Sequence, residues 1–285
     1  MLGLTHAFSS QPAFLNWNFI LLAFSGTAQA ASAISEVDLV FPLNETYAPS
    51  RLFPIVFAFQ SFNPATVVEP TINTVVTNYH NPNISYSNIW FLGFHMFNRS
   101  EPYFFTRPFD QFGTEGTWII SWELDWRNCN MTENPSPDYF INRNVSRGHK
   151  TIFTTHKDSS KQVDLFADIN NEQACSRSSG ATLNIIDTRK VPDQFKSSMH
   201  WGGDTCGVAS LLSNRADPCR VKMNETVASK IQASMVADDC EQAKIKATEP
   251  AVSCPPQETG AAVQRHGIWG GVFFGLVITA VLSRF

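Results

Sequence analysis

The sequence predicts a mainly β protein, an antiparallel β-sandwich with one C-terminal amphipathic helix. Three observations support this fold class. Residues 116–129 alternate between apolar and polar side chains, short apolar runs recur elsewhere with turn residues between them, and a fourfold apolar spacing appears only after Asn224. Strands at such intervals are typical of immunoglobulin-like or jelly-roll wiring, and the sequence leaves both topologies open.

The composition indicates a folded domain. The chain has 285 residues, 43% hydrophobic and 12% aromatic, which is ample for a core. Its net charge is -4. Removing residues 1–30 and 261–285 takes away two of the 21 basic residues, Arg265 and Arg284, and none of the 25 acidic ones, so the charge becomes -6. An acidic surface argues against nucleic-acid binding, and we expect no nucleic-acid partner.

The clearest strand is Gly116–Cys129. We expect its apolar face to be core and its other face to meet solvent. The apolar face carries Trp118, Ile120, Trp122, Leu124 and Trp126, and the other carries Ile119, Ser121, Glu123 and Asp125. Further predicted strands lie at Glu36–Tyr47, Phe53–Gln60, Ile89–Phe97, Thr151–Thr155, Val163–Ala167 and Ala181–Ile186. Pro42 and the sequon at Asn44 interrupt the first of these, and Pro54 makes the N-terminal end of the second an edge or entry position.

The C-terminal helix is predicted from Val227, Ile231 and Met235, which recur every four residues. Asn224 precedes them and is a suitable N-cap. The helix lies between Cys219 and Cys240, which we expect to form a local disulfide that pins it to the sandwich.

The cysteines indicate disulfides and no metal. Six cysteines in a secretory chain predict three bridges, for which 15 connectivities exist. No Cys-x-x-Cys pair occurs, so we expect neither a zinc site nor a cofactor. The six are Cys129, Cys175, Cys206, Cys219, Cys240 and Cys254.

The N-terminus resembles a signal peptide. Phe19–Phe24 is a short apolar core, and Ala28-Gln29-Ala30 fits the small-x-small pattern of signal peptidase. We expect cleavage after Ala30, with Ala33 as the alternative. Residues 1–18 contain no Lys or Arg, so the usual positive flank is missing.

The C-terminus resembles a glycosylphosphatidylinositol attachment signal. Ile268–Leu282 is an uncharged run of 15 residues, shorter than the roughly 20 that a spanning helix needs. Gly260-Ala261-Ala262 are small residues suited to transamidase, with attachment at Gly260 and removal of residues 261–285. A single-pass tail anchor and a secreted species with neither anchor are the alternatives. We therefore expect an ectodomain at 31–245 and a short proline-containing stalk at 246–260.

Six N-glycosylation sequons are present, and each glycan has to lie in solvent, so we expect these positions at turns and strand ends. The acceptors are Asn44, Asn83, Asn98, Asn130, Asn144 and Asn224.

Glu123 and Asp125 are the candidate catalytic pair. They lie two residues apart on one strand face, about 7 Å between equivalent atoms, and paired carboxylates can cleave a glycosidic bond. The pair resembles the Glu-x-Asp-x-x-Glu strand of laminarinase-like glycosidases. The acid five residues after Glu123 is missing, because Asn128 stands there. The favoured interpretation is therefore the solvent face of an amphipathic strand.

Two other clusters have structural as well as functional interpretations. His200–Cys206 could form a ligand loop, but a glycine turn leading into a disulfide explains the same residues better. Trp90, Trp122 and Trp201 could stack on sugars, although strand tryptophans usually belong to the core. No nucleophile elbow, His-Glu-x-x-His or phosphate-binding loop occurs.

Three stretches, Glu36–Pro42, Phe53–Gln60 and Asp217–Lys222, resemble an uncharacterised family of secreted ascomycete fungal proteins. The resemblance covers roughly Ile34 to Cys240. It implies an extracellular, often surface-anchored, β-rich glycoprotein of a filamentous fungus, and it carries over no catalytic residues.

The expected function is that of a non-enzymatic, lipid-anchored cell-surface or cell-wall glycoprotein that serves as a structural, adhesion or carbohydrate-binding module. Its expected partners are cell-wall glycans, together with the membrane through the lipid anchor. The alternative is a glycan-active hydrolase or transglycosylase that uses Glu123 and Asp125.

Overall fold

The computed structural model describes residues 33–62, 68–92, 102–129, 141–146, 148–175, 179–193, 196, 204–212, 216–246, 248–250 and 252–255. The expected signal peptide and the removed tail, with Gly260, lie outside this part of the chain.

Two packed sheets form the fold, as predicted. The first sheet has the order β11-β10-β1-β3-β6 and is antiparallel throughout. Its strands are β1 (Ala33–Phe41), β3 (Pro54–Gln60), β6 (Tyr103–Pro108), β10 (Ser179–Lys190) and β11 (Thr205–Leu212). Every residue of β3 is buried, because side chains cover both faces of this strand.

The second sheet has the order β2-β9-β7-β4-β5, and β8 pairs with the C-terminal half of β7. Only the short β2–β9 pair is parallel. The strands are β2 (Thr46–Tyr47), β4 (Thr71–Asn78), β5 (Ser85–Phe91), β7 (Gly116–Cys129), β8 (Ile141–Val145) and β9 (His149–Thr155). The predicted strand Ile89–Phe97 is confirmed as far as Phe91, and residues 93–97 lie outside the described part.

Aromatic rings fill the space between the sheets. Phe57 of the first sheet meets Trp122 of β7 edge to face, with 5.2 Å between ring centroids. Phe53 stacks on Phe153 of β9 at 5.2 Å. The predicted apolar face of β7, from Trp118 to Trp126, is buried in this core. The alternation of that strand therefore predicted its inward face correctly.

Two helices and one 3-10 turn contact the first sheet, and a third helix contacts that turn. They are α1 (Leu165–Ile169), α2 (Glu172–Cys175), the 3-10 turn Pro218–Arg220 and α3 (Glu225–Lys246). A further 3-10 turn, Asp110–Gly113, precedes β7. Helix α1 and the turn Pro218–Arg220 contact β1, and α3 contacts β6. We call these four elements, without Asp110–Gly113, the helix layer.

The predicted strand Val163–Ala167 is wrong, because α1 occupies most of this stretch. Asp164 caps the helix by accepting a hydrogen bond from the backbone N–H of Ala167 at 3.0 Å. The predicted C-terminal helix is confirmed. Asn224 accepts from the N–H of Val227 at 2.8 Å, Met235 is buried, and Val227 and Ile231 pack against the core.

The three disulfides correct the expected pairing. Cys219 bonds Cys175 and Cys240 bonds Cys254, so no Cys219–Cys240 bridge forms. The first of these bridges joins the turn Pro218–Arg220 to α2, and the second joins α3 to the segment after it. Cys129–Cys206 links β7 of the second sheet to β11 of the first.

Candidate functional site

Glu123 and Asp125 lie on the outer face of the second sheet, where Asn73 is opposite Glu123 and Thr71 is opposite Asp125. Several apolar side chains of the same face are exposed, namely Val75, Ile89, Phe91, Val145 and Ile152. The face is a sheet surface with an acidic centre.

The expectation that Asp125 lies on the solvent surface is wrong, since this residue is only 7% exposed. Arg143 of β8 holds its carboxylate through three N–H···O contacts of 2.9–3.2 Å, and the same guanidinium donates to the Thr71 hydroxyl at 2.8 Å. Asn73 donates to Asp125 at a longer 3.4 Å. A carboxylate held by several charge-assisted hydrogen bonds is occupied by its partner. Asp125 is thus a structural ion-pair partner in this sheet.

Glu123 is half-buried beside Asn73, and a side chain added at Gly148 would lie 3.4 Å from its Oε1. The two carboxylates of the predicted pair therefore differ in environment, with one bound by a guanidinium and the other facing the sheet surface.

The tryptophans that the structure describes belong to the interior. Trp122 is buried, and its indole N–H donates to the Ser179 hydroxyl at 3.0 Å. Trp90 is half-buried against Phe57 and Phe105. Trp201 lies outside the described residues. Neither Trp90 nor Trp122 therefore presents an exposed ring on which a sugar could stack.

In the cluster His200–Cys206, only Asp204, Thr205 and Cys206 are described. Cys206 forms a disulfide with Cys129 near the start of β11, which confirms the disulfide of the structural interpretation, whereas the glycine turn lies outside the described residues. Within the part of the chain that the structure describes, no three His, Cys, Asp or Glu side chains come together as a metal site requires.

The sequons occupy different environments. Asn44, Asn83 and Asn224 are exposed at a bend, a turn and a helix cap. Asn144 is half-buried within β8 opposite Trp126, and the hydroxyl of its sequon serine, Ser146, accepts from the Leu124 N–H at 2.9 Å. Asn98 and Asn130 lie outside the described residues. Asn144 is therefore the described acceptor least suited to carry a glycan.

A polar group, which we call the carboxyl cluster, consists of the buried residues Glu36, Asp38 and Gln60 and the exposed Arg220. Glu36 and Asp38 are 2% and 0% exposed on the face of β1 opposite to the core residues Val37 and Leu39. Arg220 donates to Glu36 at 2.8 Å and to Gln60 at 2.9 Å, and Gln60 donates to Asp38 at 2.8 Å.

Burial, together with the neighbouring Glu36 carboxyl, raises the pKa of Asp38 from 3.8 to about 8. The three stretches that carry the family resemblance each contribute to this cluster, with Glu36 and Asp38 from the first, Gln60 from the second and Arg220 from the third. Sequence reasoning missed it, because Glu36-Val-Asp38-Leu reads as an ordinary half-exposed strand.

A groove of about 890 Å³ separates the segment Gln162–Phe166 from α3. We call it the helix groove. Its apolar floor includes Leu52 and Leu165, and its polar walls carry amides, hydroxyls and two carboxylates, while Phe166 is a 38% exposed ring at the wall. The polar lining residues are Ser50, Gln162, Asp164, Glu225, Ser229 and Gln232. No Lys or Arg is among the described residues that line it.

A second, smaller groove of about 340 Å³ lies between β6 and α3, with Arg107 and Asp238 on opposite walls. Among the helices that the structure describes, none has the length and apolar character to cross a membrane.

A family model described as "Domain of unknown function (DUF7136)" matches residues 30–254. The chain belongs to this family. No curated protein and no solved structure matches the chain.

Proposed function

We propose that this member of the DUF7136 family is a non-enzymatic extracellular glycoprotein, lipid-anchored at Gly260, whose β-sandwich binds neutral cell-wall glycans. The observation that carries the proposal is the helix groove, an open surface channel with amides, hydroxyls and carboxylates around an exposed Phe166 ring. Saccharides offer hydroxyls to such groups and a C–H face to an aromatic ring.

The charge of the groove favours neutral sugars. Asp164 and Glu225 give the lining a net negative charge, so anionic glycans would meet repulsion. Asp164 is already oriented by capping α1, and Leu165 is anchored in the core. One wall of the groove is therefore preorganised, which lowers the entropy that binding costs.

Three disulfides in the described part of the chain are compatible with an oxidising, extracellular compartment.

The lipid anchor is supported by the C-terminal sequence alone. Release of the protein from membranes by phosphatidylinositol-specific phospholipase C is the expected result. Retention after that treatment, with the peptide Ile268–Leu282 still present by mass spectrometry, would refute the anchor.

Binding is tested with the purified glycoprotein on soluble β-glucan and chitin oligosaccharides by calorimetry. We expect Phe166→Ala to weaken binding about 3- to 10-fold, as the loss of one aromatic contact would. Phe91→Ala is the matched control, because Phe91 is a 56% exposed ring on the outer face of the second sheet. A loss caused by the control and not by Phe166→Ala would move the site to the sheet face, and no binding to any neutral glycan would exclude the proposal.

The hydrolase alternative is tested in the same samples. It requires Glu123 and Asp125 to act together, whereas Asp125 is bound by Arg143. Glycan hydrolysis that Glu123→Gln abolishes would overturn the non-enzymatic proposal.

A further inference from the structure

The carboxyl cluster fastens the segment Ala216–Val221 to the first sheet. The N–H of Asp217 donates to Glu36, and Arg220 binds both Glu36 and Gln60. Val221 is buried in the core at the end of this segment. We propose that the cluster is a proton-dependent latch, in which one proton on the Glu36–Asp38 carboxyl pair keeps the segment closed over the sheet.

The charges around the pair explain why a proton is needed. Arg220 supplies one positive charge to two carboxyls, and Gln60 from β3 is neutral. The neighbouring strand β10 offers Gly180 and Thr182, which are also neutral and lie opposite Asp38 and Glu36. A second negative charge would therefore be buried without a counter-ion, which is costly.

Other charged groups near β1 do not compensate the pair. Helix α1 contacts β1, but its Asp168 is itself paired with Lys161 at 2.7 Å. Asp217 of the covering segment is exposed. Because it is itself an acidic residue, it cannot serve as a counter-ion for the pair. Protonation of one carboxyl is thus the available route to neutrality among the described residues.

The covering segment also controls access of water. A Cβ added at Gly180 would lie 2.0 Å from Asp38 Oδ1 and 2.7 Å from the Ala216 side chain, so the carboxyl is enclosed between β10 and the segment. Opening of Ala216–Val221 would expose Asp38 to solvent, where its pKa returns towards 3.8. Closing of the segment and binding of the proton are therefore linked.

The sign of the pH effect follows from this linkage. The raised pKa means that closed Asp38 holds its proton more tightly than open Asp38 does. The proton on Asp38 stabilises the closed state fully below pH 3.8. This stabilisation decreases as the pH rises and is lost above about pH 8. The opening equilibrium constant should rise by up to about tenfold per pH unit within this window.

Hydrogen exchange of the full protein between pH 5 and 9 measures this constant, after correction for intrinsic exchange rates. Peptides that cover Ala216–Met223 should show opening that increases with pH and levels off near 8. Asp38→Asn imitates the protonated carboxyl and should remove this dependence. Asp158→Asn is the matched control, because that side chain is 75% exposed, and it should behave as the wild type does. A pH dependence that persists in Asp38→Asn would overturn the latch.

Two further variants keep the test valid if Asp38→Asn does not fold. Glu36 raises the pKa of Asp38 and Arg220 lowers it. Glu36→Gln should therefore shift the levelling-off to lower pH, and Arg220→Gln should shift it to higher pH. A purely structural cluster predicts no such opposite shifts, so equal or absent shifts would also overturn the proposal.

Discussion

Replacing Arg143 by alanine should leave the Asp125 carboxylate without its cation in a site that is nearly closed to water. Loss of a partner costs about 3–5 kcal/mol for a fully buried pair and about 0–1 kcal/mol for an exposed pair. Asp125 is 7% exposed, whereas the Arg143 side chain is 42% exposed. We therefore expect Arg143→Ala to lower the free energy of unfolding by about 2 kcal/mol, between these limits.

A double-mutant cycle isolates the pair from the loss of packing. Urea denaturation of Arg143→Ala, Asp125→Ala and the double variant should give a coupling energy of about 1.5 kcal/mol, as expected for charge-assisted hydrogen bonds. Lys150→Ala removes an exposed cation from the same sheet face and should change stability by less than about 0.5 kcal/mol. A coupling energy below about 0.5 kcal/mol would mean that Asp125 is held only weakly. The argument that Asp125 is a structural ion-pair partner and not a catalytic carboxylate would then fail.

Four further variants test the packing, two of the disulfides and a partly buried histidine. Gly180→Ala should destabilise the protein by about 3 kcal/mol in urea denaturation, because the new methyl group would lie 2.0 Å from Asp38 Oδ1; a cost below about 1 kcal/mol would contradict this contact. Replacing Cys129 and Cys206, which lie 77 residues apart, should lower the unfolding free energy by about 4–5 kcal/mol, because this bridge closes a long loop in the unfolded chain. Replacing Cys240 and Cys254, which lie 14 residues apart, should lower it by about 3 kcal/mol. The reverse order in calorimetry would refute this argument from loop entropy. Burial lowers the pKa of His149 below 6.5, so its contribution to stability is lost as the pH falls through that range, and His149→Phe should remove this acid-side loss in pH-dependent thermal unfolding.

The sequence predicts β7 well but not the environment of its polar face. The tryptophans at alternate positions mark the core unambiguously, and all of the described ones on this strand are buried. The burial of Asp125 depends on Arg143, which β8 brings opposite the end of β7. The β8 sequence Ile-Asn-Arg-Asn-Val has little apolar contrast, so periodicity does not reveal the strand or the ion pair that it creates.

The carboxyl cluster is hidden from the sequence for a related reason. Glu36 and Asp38 alternate with Val37 and Leu39, which is the pattern of a strand with one face in water. Their burial is imposed by Arg220 and its segment, more than 180 positions further along the chain. A local pattern carries no information about such a cover, although the composition of the covering segment does supply the necessary cation.

Helix α1 shows where short apolar runs mislead. Val163–Ala167 contains only five residues, and strand and helix cannot be separated by periodicity at that length. The deciding feature is Asp164, whose carboxylate caps the helix. A capping residue within a short run is thus better evidence of its conformation than the run itself.

The two outer faces of the sandwich differ in how far other parts of the chain cover them. The second sheet keeps an exposed face with a neutralised carboxylate, whereas the first sheet is contacted by the helix layer. Two of the three disulfides, Cys175–Cys219 and Cys240–Cys254, fasten elements of that layer. Helices as short as α1 and α2 do not persist alone in water, so packing and cross-links must hold them. The same layer forms the helix groove and encloses the carboxyl cluster, and a rigid wall reduces the ordering that a bound ligand would otherwise require. The helix layer, rather than the carboxylate-bearing strand β7, is therefore where a binding function should be sought first.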